Sequence, residues 1–350
     1  MAINETKLNE FLGKAVADLG AAASATMVLV GDRLGLYKAL AVESLTAEEL
    51  AQKTGTNQRY VREWLGNQGA SGYIDFDPAT DKWSMSPEQT MCLADPAGPA
   101  DLAGAYNIVE ALFHALDRTL ENFKTGHGVE WGEHHPSLFV GTERFFRAGY
   151  NANLVGSWLP ALDGAVERLQ AGARVADVGC GHGASTVLMA KAYPKSTFIG
   201  YDYHPDSVRV AIDRAAQAGA TNATFEVADA VSYAANDLDL IAFFDCLHDM
   251  GDPVGVARHA RDALASDGMA MIVEPFANER MQDNLNPVGR LMYAASSQVC
   301  VPVSLARNGP ALGAQAGEGR LREVVVDGGG FTRFRRATET PFNIIYEARP

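Results

Sequence analysis

The sequence predicts an α/β protein, with a mostly parallel Rossmann-like sheet in the second half of the chain and a small winged-helix domain in the first. Three observations carry this. From residue 172 onward, short apolar runs near 174–178, 197–201, 224–227, 239–244 and 269–273 alternate with stretches of helical periodicity. A glycine-rich segment, GCGHG at 179–183, joins the first run to a helix that begins at Ala184. Upstream, between 34 and 95, helical patterns separated by turn signals lead into an aromatic strand pair.

The apolar stretch AAASATMVLV at 21–30 follows Asp18 and ends at GDR. It is too short to span a bilayer and runs straight into a folded region, so it reads as a buried helix and as a candidate for packing against a second subunit. LTAEELAQKTG places Thr46 as a helix cap with Glu49 three residues on, a capping box, and stops at Gly55. The next helix, QRYVREWLGNQGA, puts Tyr60, Val61, Trp64 and Leu65 on one face. GYIDFDPATDKWSMS then alternates through Tyr73, Ile74 and Phe76, turns at DPATD and returns through Trp83 and Met85, which completes a winged helix-turn-helix pattern.

A winged helix raises the question of DNA, with Arg59 and Arg62 on the helix that would read it. Residues 1–95 hold eight Lys/Arg against 13 Asp/Glu, and the whole chain of 350 residues carries a formal charge of -14. Both balances oppose a phosphate backbone or an anionic membrane. The domain, 1–95, is therefore expected to be structural and to dimerise, with no nucleic-acid or membrane partner. Cys92, Cys180, Cys246 and Cys300 are scattered, and a disulfide at Cys180 would obstruct the glycine turn, so a reducing cytoplasm is expected.

Residues 96–165 read as a helical connector and cap rich in aromatic residues, including Tyr106, Phe113, Trp131, Phe139, Phe145, Phe146, Tyr150 and Trp158. Most of these suit a helix core, and a few suit the lining of an apolar pocket. The third segment, 166–350, holds the alternating sheet, an insertion at about 276–320, a helix near 320–328 and two closing strands at 331–336 and 342–348.

The glycine turn lets backbone approach a ligand and presents the N–H groups of a helix N-terminus, which suits a nucleotide-like cofactor. Gly179, Gly181 and Ala184 can be aligned on a nicotinamide-dinucleotide fingerprint, so the glycines alone leave the cofactor open. With Asp177 two places before the first glycine, and Gly183 as the third, the turn reads DxGxGxG. In that form it resembles the first motif of class I S-adenosylmethionine-dependent methyltransferases.

The resemblance implies a seven-stranded methyltransferase sheet and a cofactor site running through Asp177, Gly179, Gly181 and Gly183. It also implies that Asp202, 19 residues after Gly183, clamps the ribose, that Tyr203 packs on the adenine, and that Asp229 and Ala230 meet the adenine amino group. Phe244 and Asp245, in FFDCLHD, would face the methionine end. The stretch from Cys246 to Pro275 is similar to one in small-molecule O-methyltransferases, where a histidine removes the acceptor proton and a carboxylate ending the fifth strand orients it. The matching residues are His248 and Glu274, and Met250 stands where the family commonly has tryptophan.

Together with its winged helix, the chain is closest to winged-helix methyltransferases of actinobacterial type, similar to plant and bacterial O-methyltransferases that dimerise through that domain. The resemblance implies S-adenosylmethionine as cofactor, S-adenosylhomocysteine as product, and a small, largely apolar, aromatic or polyketide-like acceptor methylated on oxygen. N- or C-methylation, a transcriptional regulator and a nicotinamide oxidoreductase remain the alternatives. Trp131, His134, Phe146, Tyr150, Met250, Met292 and Tyr293 are candidate acceptor residues, with Gln298 a further candidate in the lid. Some relatives that methylate carbon hold iron, but His127, His134 and His135, with Glu133 beside them, lack an HxH or HxxxH spacing, and no metal is expected.

Overall fold

The structure, a computed structural model, describes residues 3–350. Two compact units emerge, one comprising the chain up to Ala111 with Val140–Ala148, the other Leu112–Phe139 with Gly149–Pro350. The stretch expected to form one connector is thus shared between them.

In the first unit a 29-residue helix, Glu5–Arg33, opens the chain. It is longer than the apolar stretch implied, and by length and composition it could cross a membrane. Val28 is nevertheless buried in the same core as Leu36, Tyr37, Leu50, Val61, Trp64, Leu65 and Ile74, with Met27 and Val30 packed against it. Crossing would pull that core apart and expose its apolar surface. The helix Ala47–Thr54 carries the expected Thr46–Glu49 capping box and ends at Gly55 in the left-handed region, φ 66°. Helix Gln58–Ala70 buries Val61, Trp64, Leu65 and Gln68. Tyr60, expected on the same face, is exposed, because the buried stripe is centred one residue further round the helix. Strands β1 (Asp75–Asp77) and β2 (Lys82–Ser84) pair antiparallel as the wing.

The second unit is built on seven strands, β3 (Arg174–Val178), β4 (Thr197–Asp202), β5 (Ala223–Val227), β6 (Leu238–Phe244), β7 (Leu264–Pro275), β8 (Arg333–Glu339) and β9 (Asn343–Arg349). Their order is β5-β4-β3-β6-β7-β9-β8. The first five strands run parallel, and β9 enters antiparallel between β7 and β8. β7 begins five residues before the expected strand because Leu264 already pairs with Leu238, ahead of an irregularity that resumes at Met269 opposite Leu240.

The continuous apolar run Ile241–Phe244, and the fully buried stretch Val175–Val178 with Asp177 inside it, fit strands covered on both faces. The chain order reverses between β3 and β6, so the carboxyl ends of these strands frame the crevice where open α/β sheets bind ligands.

Candidate active site

The glycine turn is shaped by backbone chemistry. Gly179, Gly181 and Gly183 all have positive φ (77°, 51° and 72°), a region that costs any other L-residue energy. A Cβ on Gly179 would come to 2.8 Å of the Cys246 sulfur, and one on Gly183 to 2.8 Å of Phe225, whereas one on Gly181 would meet nothing within 4 Å. Gly179 and Gly183 are therefore fixed by protein packing, and Gly181 borders open space. Asp177 faces inward: its Oδ2 accepts from the hydroxyls of Ser185 and Thr186, both at 2.6 Å, tying β3 to the first turn of helix Ala184–Ala192. Burial pushes its pKa up to about 6 against those two hydrogen bonds.

Asp202, at the end of β4, accepts from the backbone N–H of Gly181 (2.9 Å) and of His204 (2.8 Å). Each carboxylate oxygen keeps a lone pair for a further donor, such as a ribose hydroxyl. Burial raises its pKa, opposed by the two backbone N–H groups. Tyr203 follows, its hydroxyl buried without a hydrogen-bond partner. After β5, Asp229 accepts from the N–H of Val231 at 3.2 Å, with Ala230 beside it partly buried against the sheet core. Open space at Gly181, a carboxylate with spare acceptor capacity and an aromatic face with an acidic neighbour fit a nucleoside cofactor.

At the ends of β6 and β7 the site changes character. Phe244 packs against Tyr150, ring centroids 5.1 Å apart. Asp245, at φ 53°, accepts from Asn343 Nδ2 at 2.6 Å and from the Tyr150 hydroxyl at 3.3 Å. Its pKa is held well above the carboxylate range by burial and by Glu274. His248 lies in the turn Leu247–Asp249 and is 3% exposed. Its Nδ1 is 2.5 Å from Glu274 Oε2, and Glu274 Oε1 accepts from the Leu247 N–H at 3.1 Å. The carboxylate thus holds the proton on Nδ1 and leaves Nε2 as the acceptor. Burial opposes charge on the ring, but Glu274 and then Cys300 outweigh it, and the His248 pKa rises well above the ordinary histidine value.

The candidate acceptor residues fall in separate places. Tyr150 touches Phe244 and Asp245 beside His248. Met250 lies at the first glycine, its Cε 3.6 Å from where a Gly179 Cβ would stand. Trp131 and His204 each pack on Phe139 at 5.2 Å, with His134 next to Trp131. The buried His134 Nε2 has no partner, and burial, then Arg118, lowers its pKa to about 4. Met292 and Tyr293 lie on helix Pro287–Gln298, Met292 buried and Tyr293 half-buried. Phe146 stacks edge-on with Phe145 in the other unit.

His135 caps helix Pro136–Asn153 by accepting from the Ser137 N–H and stacks on His114, while His127 is exposed. The metal-type donors that do converge among the described residues are His248, Asp249 and Cys300, whose ligand atoms lie within 4.8 Å of one another. A cation there would occupy the Nε2 lone pair of His248. Burial pushes the Asp249 pKa up to about 7, opposed by His248.

Sequence reasoning missed Cys300 and Asn343, and also Arg307, whose guanidinium lies over Tyr203. They are brought in by the insertion and by β9, without a local motif.

A glycine turn at the β3–helix junction, a carboxylate ending β4 and a buried carboxylate–histidine pair on β6 and β7 line the crevice of this sheet. Residues 169–313 match the family model described as a methyltransferase domain, and residues 22–95 the one described as an Rv2258c-like winged HTH domain. The chain thus joins a winged HTH domain of that type to a methyltransferase domain.

The fold is shared along the full chain with mitomycin 7-O-methyltransferase MmcR (TM-score 0.68, 19% identity, 99% of this chain and 100% of that chain). It is shared equally with human N-acetylserotonin methyltransferase solved with SAM (TM-score 0.68, 14%, covering 100% and 99%). PigF solved with SAH gives a TM-score of 0.70 at 17% identity, covering 100% of both chains. A 64-residue stretch is 41% identical to the tRNA (guanine-N(7)-)-methyltransferases of Shewanella pealeana and Shewanella halifaxensis. It is 18% of this chain and spans 27% of the length of those curated relatives.

Proposed function

We propose that the chain methylates a hydroxyl of a small, largely apolar, aromatic or polyketide-like acceptor, using S-adenosylmethionine and releasing S-adenosylhomocysteine. The cofactor supplies a methyl group on a sulfonium that is already a good leaving group. Gly179, Gly181 and Gly183 would let its backbone-facing edge approach, Asp202 would take the ribose hydroxyls, Tyr203, Asp229 and Ala230 the adenine, and Phe244 and Asp245 the methionine end.

The observation that carries the reading is the buried His248–Glu274 pair. Direct displacement requires acceptor oxygen, methyl carbon and sulfur in line, and removal of one proton as the bond forms. His248 Nε2 takes that proton, and Glu274 stabilises the resulting imidazolium and fixes the ring. Tyr150, packed on Phe244 and bonded to Asp245, borders this end. The acceptor class is supported by the structural neighbours, a mitomycin 7-O-methyltransferase and an N-acetylserotonin methyltransferase among them.

A homodimer through the first domain is part of the same reading. It is supported by the exposed apolar side chains of Phe11, Leu12, Val16 and Leu19 on helix Glu5–Arg33. Four free cysteines among the described residues support a reducing, cytoplasmic setting. A screen of phenolic acceptors with wild-type protein and His248→Ala tests the base. The reading expects product from the wild type and a loss of turnover in the variant, and an undiminished variant would overturn it.

A further inference from the structure

We infer that Arg307 is a displaceable latch on the adenine end of the cofactor site, one that the cofactor must compete with to bind. The inference rests on the cofactor assignment proposed above.

Arg307 directly follows helix Cys300–Ala306, within the insertion between β7 and β8. Its guanidinium carbon sits over the Tyr203 ring, 3.8 Å from the centroid. Its Nη1 is 3.2 Å from Asp229 Oδ2, and its Nε 3.2 Å from Glu130 Oε2. Tyr203 and Asp229 are the two groups assigned to adenine, one as a stacking face and the other as acceptor for the exocyclic amino group. A guanidinium is planar, stacks on aromatic faces and donates N–H bonds to carboxylates. It therefore presents to Tyr203 and Asp229 the same two kinds of contact that an aminopurine would.

The arm carrying Arg307 is held from behind. The Val129 N–H donates to Pro302 O at 2.9 Å, Ser304 Oγ donates to Met250 O at 2.9 Å, and a Cβ on Gly251 would stand 2.4 Å from the Arg307 Cβ. The backbone is thus fixed against the turn that follows His248, and the side chain is the part free to swing. The charged groups facing it are Glu130 and Asp229 as direct partners, with Asp202 close enough for Arg307 to lower its pKa. When adenine takes Tyr203 and Asp229, Arg307 keeps Glu130. Cofactor entry is in this way coupled to the segment that also carries Cys300 toward His248.

The pairs are about a third to a half exposed, so each contact is modest and the latch is weak enough to open. A latch that is closed most of the time lowers apparent affinity by the fraction of molecules left open. Calorimetric titration with S-adenosylhomocysteine and with adenosine, on wild type, Arg307→Ala and Glu130→Gln, reads this directly.

Arg307→Ala should bind both ligands about five-fold tighter, and Glu130→Gln should shift the same way by a smaller factor. Because adenosine is uncharged, raising salt should tighten its binding to wild type while leaving Arg307→Ala unchanged. Equal or weaker binding by a folded Arg307→Ala overturns the latch, as does a gain for S-adenosylhomocysteine that is missing for adenosine. Wild type that binds neither ligand would instead overturn the cofactor assignment.

Discussion

The two ends of the ligand crevice are built from different materials. At β3 and β4 the site is made of backbone: three glycines at positive φ, N–H groups donated to Asp202, and a turn packed so closely that Gly179 and Gly183 have no room for a Cβ. At β6 and β7 it is made of ionisable side chains: His248 and Glu274, buried and paired with each other, and half-buried Asp245, which accepts from Asn343 and Tyr150. The first end holds shape, and the second holds a proton. Conformational strain should perturb one and pH the other.

The largest effect should come from removing the proposed proton acceptor. His248→Ala should lower kcat by ~10²–10⁴ while leaving S-adenosylhomocysteine affinity within about two-fold, measured by turnover beside calorimetry. The glycines should split in the opposite sense. Gly183→Ala forces a Cβ against Phe225 and Ala211, and should cost about 1–3 kcal/mol of stability, read as a lower Tm. Gly181→Ala meets no protein atom and should cost only about 1–2 kcal/mol from its backbone conformation, with the heavier penalty falling on cofactor affinity.

The pH dependence sharpens the contrast. A base works unprotonated, and the His248 pKa is raised, so on the proposed role turnover should rise with pH along a limb displaced above the ordinary histidine range. Glu274→Gln removes the charge that raises it, so the limb should move to lower pH while maximal turnover falls. The smallest expected effect is that of a chelator. If Nε2 of His248 is the base, dialysis against EDTA leaves turnover unchanged. A loss restored by added iron or zinc would instead make His248, Asp249 and Cys300 a metal site.

These two ends also differed in how far the sequence disclosed them. The glycine turn is local: Asp177 to Gly183 carries its own geometry, and Asp202 follows at a spacing set by one helix and one strand. His248 and Glu274 were legible because each sits at a strand end within a recognisable stretch, although their contact spans 26 residues. Asn343 reaches Asp245 across 98 residues, and Cys300 and Arg307 arrive on an insertion with no repeating pattern, so nothing local marked them. The capping box at Thr46 was read correctly because it spans three residues. The rotation that exposes Tyr60 was missed, because a helical stripe has edges that the sequence alone does not fix. β7 was read short because its early pairing depends on Leu238, a residue of another strand.

The most direct test of the account is a calorimetric titration of the wild-type protein with S-adenosylhomocysteine, with NADH run beside it and Asp202→Ala as the control. The account predicts micromolar binding of S-adenosylhomocysteine, its loss in the variant, and no heat with NADH. Folded wild-type protein that stays silent toward S-adenosylhomocysteine, or that prefers NADH, would contradict it.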